Sequence, residues 1–390
     1  MMKKNTFAAV AATLVLTVAV LLSGCGNSGS AETQNNESVA EVSANVSQTA
    51  DLSDASTITV SDNETVTITK EGVYTLTGSA VNACVVVDAA DDDEVQLILD
   101  DVSIVNSDQP CILVENADKV LLVSSEGSSN TLSVSGQFSG DADAVVYSRD
   151  DLELDGLGTV TISSAEDGIC SNDDLELVGG TWIVTASDTA MKAHNSIVAS
   201  DGTFELTAGN DGLHAEDNDD DTIGSIEING GSFTIQAGDD GVHATTTATV
   251  NGGSLVINAA EGIEATQAII NDGSVCINAS DDGINAGSKS NSISVKIEIN
   301  GGDISVSMGA GDTDAIDSNG DLIISGGTID ISAQSPFDYD GSCSYTGGTI
   351  IVNGTQTDSV TNQMMGGGMM GGQPGGMMDG QAGEFGGNRR

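Results

Sequence analysis

A five-residue unit, Gly-[Ser/Thr/Asp]-apolar-x-apolar, recurs along most of this chain and severely limits what it can fold into. It begins, sometimes loosely, at Gly158, Gly180, Gly202, Gly231, Gly253, Gly273, Gly302, Gly327 and Gly348. Spacings of roughly 20 to 30 residues are the signature of a solenoid, in which each unit buries its apolar face only by stacking on its neighbours. They leave no room for the crossover helix that parallel strands otherwise require. The predicted fold is therefore all-β, a right-handed single-stranded parallel β-helix (β-solenoid).

Three strands are legible per coil. The first is Thr159-Val160-Thr161-Ile162 and its counterparts, and its alternation places Val160, Trp182, Phe204, Phe233, Leu255, Val275, Ile304 and Ile329 in one inward column. Trp182 thus reads as core, not as a sugar-stacking platform. The second strand follows an acidic turn and begins Gly168-Ile169, Ala190-Met191, Gly212-Leu213, Gly241-Val242, Gly262-Ile263, Gly283-Ile284 and Ala315-Ile316. The third appears as Leu175-Glu176-Leu177, Ile226-Glu227-Ile228, Ile297-Glu298-Ile299 and Leu322-Ile323-Ile324. Coils stack about 4.8 Å apart, so nine of them give a rod of roughly 40 to 45 Å. Asn229, Asn251, Asn271 and Asn300 precede successive repeats, which predicts a stacked asparagine corner with left-handed backbone. Residues 57–157 carry the same chemistry less regularly and read as the N-terminal coils and cap of one domain over 57–353, with a separate β-sandwich over 57–130 as the alternative.

The turn before the second strand carries the most informative chemistry. It reads Glu166-Asp167-Gly168, Ser187-Asp188, Asn210-Asp211-Gly212, Asp239-Asp240-Gly241, Ala260-Glu261-Gly262, Asp281-Asp282-Gly283 and Thr313-Asp314-Ala315. Asp-Gly is a common turn dipeptide, which explains one such turn. It does not explain acids repeated on one corner, where like charges 4.8 Å apart repel unless cations sit among them. Asp167, Asp188, Asp211, Asp239, Asp240, Glu261, Asp281, Asp282 and Asp314 are accordingly the candidate ligands of Ca²⁺, a hard ion that takes six to eight oxygens. The formal charge of −49, from 59 acidic against 10 basic residues, reinforces the need for counter-ions. It also excludes nucleic acid and anionic membrane surfaces as partners. The insertion Glu216-Asp217-Asn218-Asp219-Asp220-Asp221 reads equally as a further cation site or as a loop. Neither an EF-hand loop nor the Gly-Gly-x-Gly-x-Asp repeat is present.

After each inward residue of the second strand comes an outward one. Across coils this column reads Cys170, Lys192, His214, His243, Glu264, Asn285, Asp317. Lys192, His214, His243 and Glu264 are the candidate carbohydrate-contacting residues, beside the carboxylate edge. A solvated strand face is the competing reading. If the chain were a lyase, Lys192 would be the base and Arg149 a weaker second, with calcium acidifying the proton beside a uronate carboxylate.

At the N-terminus, Lys3 and Lys4, an apolar run from Phe7 to Leu22 and Leu22-Ser23-Gly24-Cys25 have the layout of a secretory signal ending in a lipidated cysteine. The run is short for a membrane span. The expected organisation is signal peptide 1–24, lipidated Cys25 opening a polar tether 25–56, the β-helix, and a Met/Gly-rich low-complexity tail over 354–390. A monomer exported to the outer face of the cell membrane, touching it only through the lipid, follows. The other five cysteines match no zinc spacing, and Cys111 and Cys276 read as small buried hydrophobes.

These features resemble a family of secreted bacterial carbohydrate-binding proteins with a calcium-loaded right-handed β-helix, similar in architecture to pectate lyases and binding cellulose and acidic, pectin-like sugars. The resemblance covers about Thr57 to Asn353. It rests on Glu71-Gly72-Val73-Tyr74-Thr75-Leu76-Thr77-Gly78, on Val120-Leu121-Leu122-Val123 through Asn130-Thr131-Leu132, on Asp150-Asp151-Leu152-Glu153-Leu154, on the recurring Asp-Gly-[Ile/Val/Leu]-x-Ala, and on the Met-Gly tail. It implies a non-catalytic module whose partner is a plant-type polysaccharide, acidic like polygalacturonate or cellulosic, with calcium at the acidic turns. No dockerin-like calcium segment or linked catalytic domain is evident, which favours surface display through Cys25. A polysaccharide lyase and a non-binding adhesive rod are the alternatives.

Overall fold

The computed structural model describes residues 55–217, 219–310 and 313–362, which hold 34 strands and no helix. The signal segment, Cys25, most of the expected tether and the Met/Gly-rich tail beyond residue 362 lie outside the described residues, as does Asn218 within the acidic insertion. The strands join coil on coil in parallel register, and among the described residues the antiparallel pair is the closing hairpin of Thr349–Val352 with Thr355–Thr357.

Three ladders run the length of the solenoid. The first stacks Thr159–Ser164, Thr181–Ala186, Thr203–Ala208, Ser232–Gln236, Ser254–Ala259, Ser274–Ala279, Asp303–Met308 and Thr328–Ser332. The second stacks Asp167–Ser171, Met191–Ala193 and Leu213–Ala215, then the opening halves of Asp240–Val250 and Glu261–Ile270, then Ile284–Ala286 and Ile316–Ser318. The third carries Asp174–Leu177, Ser196–Ala199, Ser225–Ile228, Lys296–Ile299 and Asp321–Ile324. Upstream coils belong to the same ladders: Ser129–Val134 pairs in parallel with both Glu94–Asn106 and Thr159–Ser164, so residues 57–130 are not a sandwich.

The inward column is as the alternation requires. Trp182, Phe204, Phe233, Leu255, Val275, Ile304 and Ile329 are consecutive register partners and all are buried. Phe204 and Phe233 stack with centroids 4.7 Å apart, and Trp182 Nε1 donates to Gly179 O at 2.8 Å, satisfying the indole inside the core. Each fully buried large side chain contributes about 1.5–3 kcal/mol.

One local expectation changes. The asparagine corner exists as a chain of amide hydrogen bonds: Asn251 Nδ2 donates to Asn229 Oδ1 at 2.8 Å, Asn271 to Asn251 at 2.7 Å, and Asn300 to Asn271 at 2.9 Å. The left-handed backbone, however, falls two residues later on glycine, as at Gly231 (φ 88°) and Gly253 (φ 80°), because glycine adopts positive φ without steric cost. The glycines of the Asp-Gly turns, by contrast, do not have positive φ. They stand at the mouth of the second-ladder strands, and a Cβ at Gly241 would lie 2.3 Å from Ile257 Cγ2 and 2.6 Å from Gly262 O, so close approach of the next coil explains the small residue.

Candidate functional site: an acidic edge beside a mixed-charge strand face

Register splits the acidic corner into two columns. Asp167, Thr189, Asp211, Asp240, Glu261, Asp282 and Asp314 occupy equivalent positions at the mouth of the second ladder. One residue earlier stand Asp188, Asp239 and Asp281, which are solvent-exposed. The inner column is largely buried and has a structural duty. Asp167 Oδ1 accepts the Thr189 N–H at 2.9 Å, Asp211 Oδ1 that of Asp240 at 2.9 Å, and Asp282 Oδ1 that of Asp314 at 3.0 Å. Each carboxylate thus clips its coil to the next.

The strand face next to it is a register-perfect column. Tyr147, Cys170, Lys192, His214, His243, Glu264, Asn285, Asp317 and Asp338 are successive partners. Lys192, His214, His243 and Glu264 therefore meet as the alternation predicts. In the middle coils this column neutralises the inner acids. Lys192 Nζ lies 3.7 Å from Asp167 Oδ2; His214 Nδ1 and His243 Nδ1 lie 2.6 Å from Asp211 Oδ2 and Asp240 Oδ2. His243 Nδ1 is also 3.0 Å from Glu264 Oε2, whose other oxygen receives Lys289 Nζ at 2.6 Å. The two imidazoles stack, centroids 4.6 Å apart and planes 8° apart.

These contacts set the protonation states. Burial opposes charge on His243, but Asp240 and Glu264 outweigh it and raise its pKa to about 10. His214 is raised in the same way, against its burial, by Asp211 and Glu216. Burial works against ionised Glu264 too, yet His243 and Lys289 hold it below the usual carboxylate range, while burial and the Glu264 and Asp211 charges push Asp240 up. Lys192, opposed by burial, is kept above its ordinary value by Asp167 and its neighbours. It is an ammonium ion in a carboxylate's grip, a poor general base. Arg149 is engaged with Glu115 at 2.8 Å and lies over the Tyr147 ring.

Towards the C-terminus the cations run out. Asn285 Nδ2 donates to Glu261 Oε2 at 2.9 Å, while its Oδ1 is buried without a hydrogen-bond partner, and so is Asp338 Oδ1. Between these residues in the column sits Asp317, whose pKa is pushed up to about 7 by burial and then by Asp282, Asp338, Asp314 and Asp340. Glu261 reaches about 7 and Asp282 about 6, in each case mainly through burial, with like charges adding to it. The donors left at this end are carbonyl and carboxylate oxygens with no lysine or histidine in the column beside them, the ligand type that calcium takes. The middle coils, where protein cations already fill the carboxylates, fit it less well.

Sequence reading missed Lys289, which sits in an irregular insertion with no equivalent in other coils. It also missed the group Asp151, Asp173 and Asp174 at another corner, whose candidate ligand oxygens lie within 4.8 Å of one another. The acidic insertion is tied down at both ends: Glu216 Oε2 lies 3.1 Å from His214 Nε2, and Asp221 Oδ2 accepts from Asn291 N and Nδ2.

Comparison with known proteins supplies independent evidence. A family model described as carbohydrate-binding domain-containing protein matches residues 62–332. A relative from Acetivibrio thermocellus with the same description is 28% identical over 186 residues, which cover 45% of this chain and 64% of the relative. Among solved structures, a gadolinium derivative of the polysaccharide lyase-like protein from C. thermocellum is similar with a TM-score of 0.51 at 28% identity, over 54% of this chain and 93% of that one.

Proposed function

Because the chain belongs to the family of carbohydrate-binding domain-containing proteins, we propose that it is a non-catalytic, calcium-dependent binder of acidic plant-type polysaccharide, polygalacturonate-like, with cellulose as a secondary ligand. The observation that carries this reading is the strand-face column itself. It sets Lys192, His214, His243 and the added Lys289 beside an acidic edge that ends in orphaned oxygens.

Asn285, Asp317 and Asp338, with Asp282 and Asp314 alongside, would hold calcium, which supplies positive charge and open coordination positions for a uronate carboxylate. The neighbouring Lys192, Lys289, His214 and His243, each with its pKa raised by the carboxylates it faces, add charge-assisted hydrogen bonds to the same carboxylates. Aromatic residues are 3% of the chain, and Trp182, Phe204, Phe233 and Phe337 are buried in the core, so polar capture suits it better than flat stacking on crystalline cellulose. Export and display through a lipid on Cys25, as a monomer, complete the proposal.

A lyase needs a lysine or arginine that can accept a proton, and both Lys192 and Arg149 are held in ion pairs. The test is to titrate the mature domain against polygalacturonate with and without calcium while following the ultraviolet absorbance of unsaturated products. Calcium-dependent binding with flat absorbance is expected. An absorbance rise abolished by Lys192→Ala would replace the reading with a lyase, and silence in both channels with a structural rod.

A further inference from the structure

The chain has three histidines: His214 and His243 stand on the strand face in successive coils, and His194 lies in the turn that follows this strand one coil earlier. His214 and His243 are register partners with stacked, nearly parallel rings. Each ring is oriented the same way, because each presents Nδ1 to the aspartate three residues before it, at 2.6 Å in both cases. Their Nε2 edges therefore lie side by side. His214 Nε2 faces Glu216 Oε2 at 3.1 Å, and among the described residues His243 Nε2 has no hydrogen-bond partner. Two sets of mutually close donor atoms, Asp211-His214-His243 and Asp240-His243-Glu264, overlap at His243.

This is the arrangement that metal-binding imidazoles use. A carboxylate on Nδ1 fixes the tautomer and ring orientation and raises the basicity of Nε2. Imidazole nitrogen selects divalent transition ions over calcium and magnesium, so such a site is chemically separate from the all-oxygen end of the edge. We propose that the stacked pair His214 and His243, with the Glu216 carboxylate, binds a divalent transition metal of the zinc class through both Nε2 atoms, while Asp211 and Asp240 hold the rings from behind. Bonds of about 2.1 Å to each nitrogen would splay the parallel rings towards the ion and displace one proton or more. Glu216 belongs to the insertion that closes on Asn291, so loading the site would also tie that insertion to the strand face.

The probe is the metal alone, with no sugar present, so the outcome is independent of the carbohydrate reading. The mature chain, stripped with chelator, is titrated with Co²⁺ and followed by its visible d–d absorption, then with Zn²⁺ against a chromophoric indicator. One ion per chain is expected, retained in excess Ca²⁺. That ion should be lost in H214Q and H243Q and bound about 10–100-fold more weakly in D240N. Because a histidine variant could fail to fold, the imidazole resonances of the unmodified protein give a second reading: Zn²⁺ should shift those of two histidines together. Full metal binding in a folded H214Q/H243Q double variant, or imidazole resonances unmoved by Zn²⁺, would overturn the assignment.

Discussion

The middle and the C-terminal end of the acidic edge share one backbone register and one core, yet they neutralise their carboxylates in opposite ways. Around Asp211 and Asp240 the strand-face column supplies two histidines, with Lys192 and Lys289 flanking them, so each buried acid has a protein cation at hand. Around Asp317 the same column supplies Asn285 and Asp338, no lysine or histidine, and one oxygen of each is left without a hydrogen-bond partner. A repeat fixes where a side chain stands; the residue at each rung decides whether the corner is closed by the protein or left for an ion. Charge repeated on an edge is therefore not by itself a row of equivalent metal sites.

The comparison breaks most sharply at His243. Replacing it by alanine leaves Asp240 and Glu264 buried with Lys289 as their remaining cation, and a loss of about 3 kcal/mol at pH 7 is expected from denaturant unfolding. With His243 raised to about 10, its contribution is full below the ordinary histidine pKa and is lost as pH rises towards 10. The penalty of the variant should therefore shrink in alkaline buffer.

Calcium should act at the other end. At 100 to 1,000 times its dissociation constant it is expected to stabilise the fold by about 3–4 kcal/mol. D317N/D338N should abolish that gain while leaving the His243 penalty intact. Melting curves of both proteins with and without chelator measure it.

A smaller effect separates the two regions by pH. Glu261 and Asp317 have folded pKa values of about 7, above those of the unfolded chain, so the native state holds protons that the unfolded state releases. Without calcium, stability should fall as pH rises from about 4.5 to 7. E261Q, which can still accept from Asn285, should be more stable than the parent at pH 8 by on the order of 1 kcal/mol, after allowance for its partial exposure. It should be neutral near pH 4. The smallest change lies outside both regions: Asn251→Ala breaks the amide ladder in two places on an exposed corner and should cost about 1 kcal/mol, independent of calcium and pH.

Much of this was legible in the sequence. The glycine-led repeat and strict alternation gave the inward column through Trp182, Phe204 and Phe233 and the outward column from Cys170 to Asp317 residue by residue, because a two-residue period and a one-coil stack leave no freedom of register. What alternation cannot convey is the turn geometry. It assigned positive φ to asparagine where glycine bears it, and it merged Asp188 with Asp211, which stand in different columns. Nor can it convey contacts from outside the repeat, and Lys289 reaches Glu264 from an insertion. The orphaned oxygens of Asn285 and Asp338 depend on which way an amide and a carboxylate turn, which no pattern of residue types encodes.

The most direct test is an anomalous-scattering map of crystals soaked in a lanthanide at neutral pH. Density among Asn285, Asp317 and Asp338, with none between His214 and His243, is the expected result. Lanthanide on the histidine-bearing coils and a bare C-terminal end would contradict the division of the edge into a self-neutralised middle and an ion-dependent end.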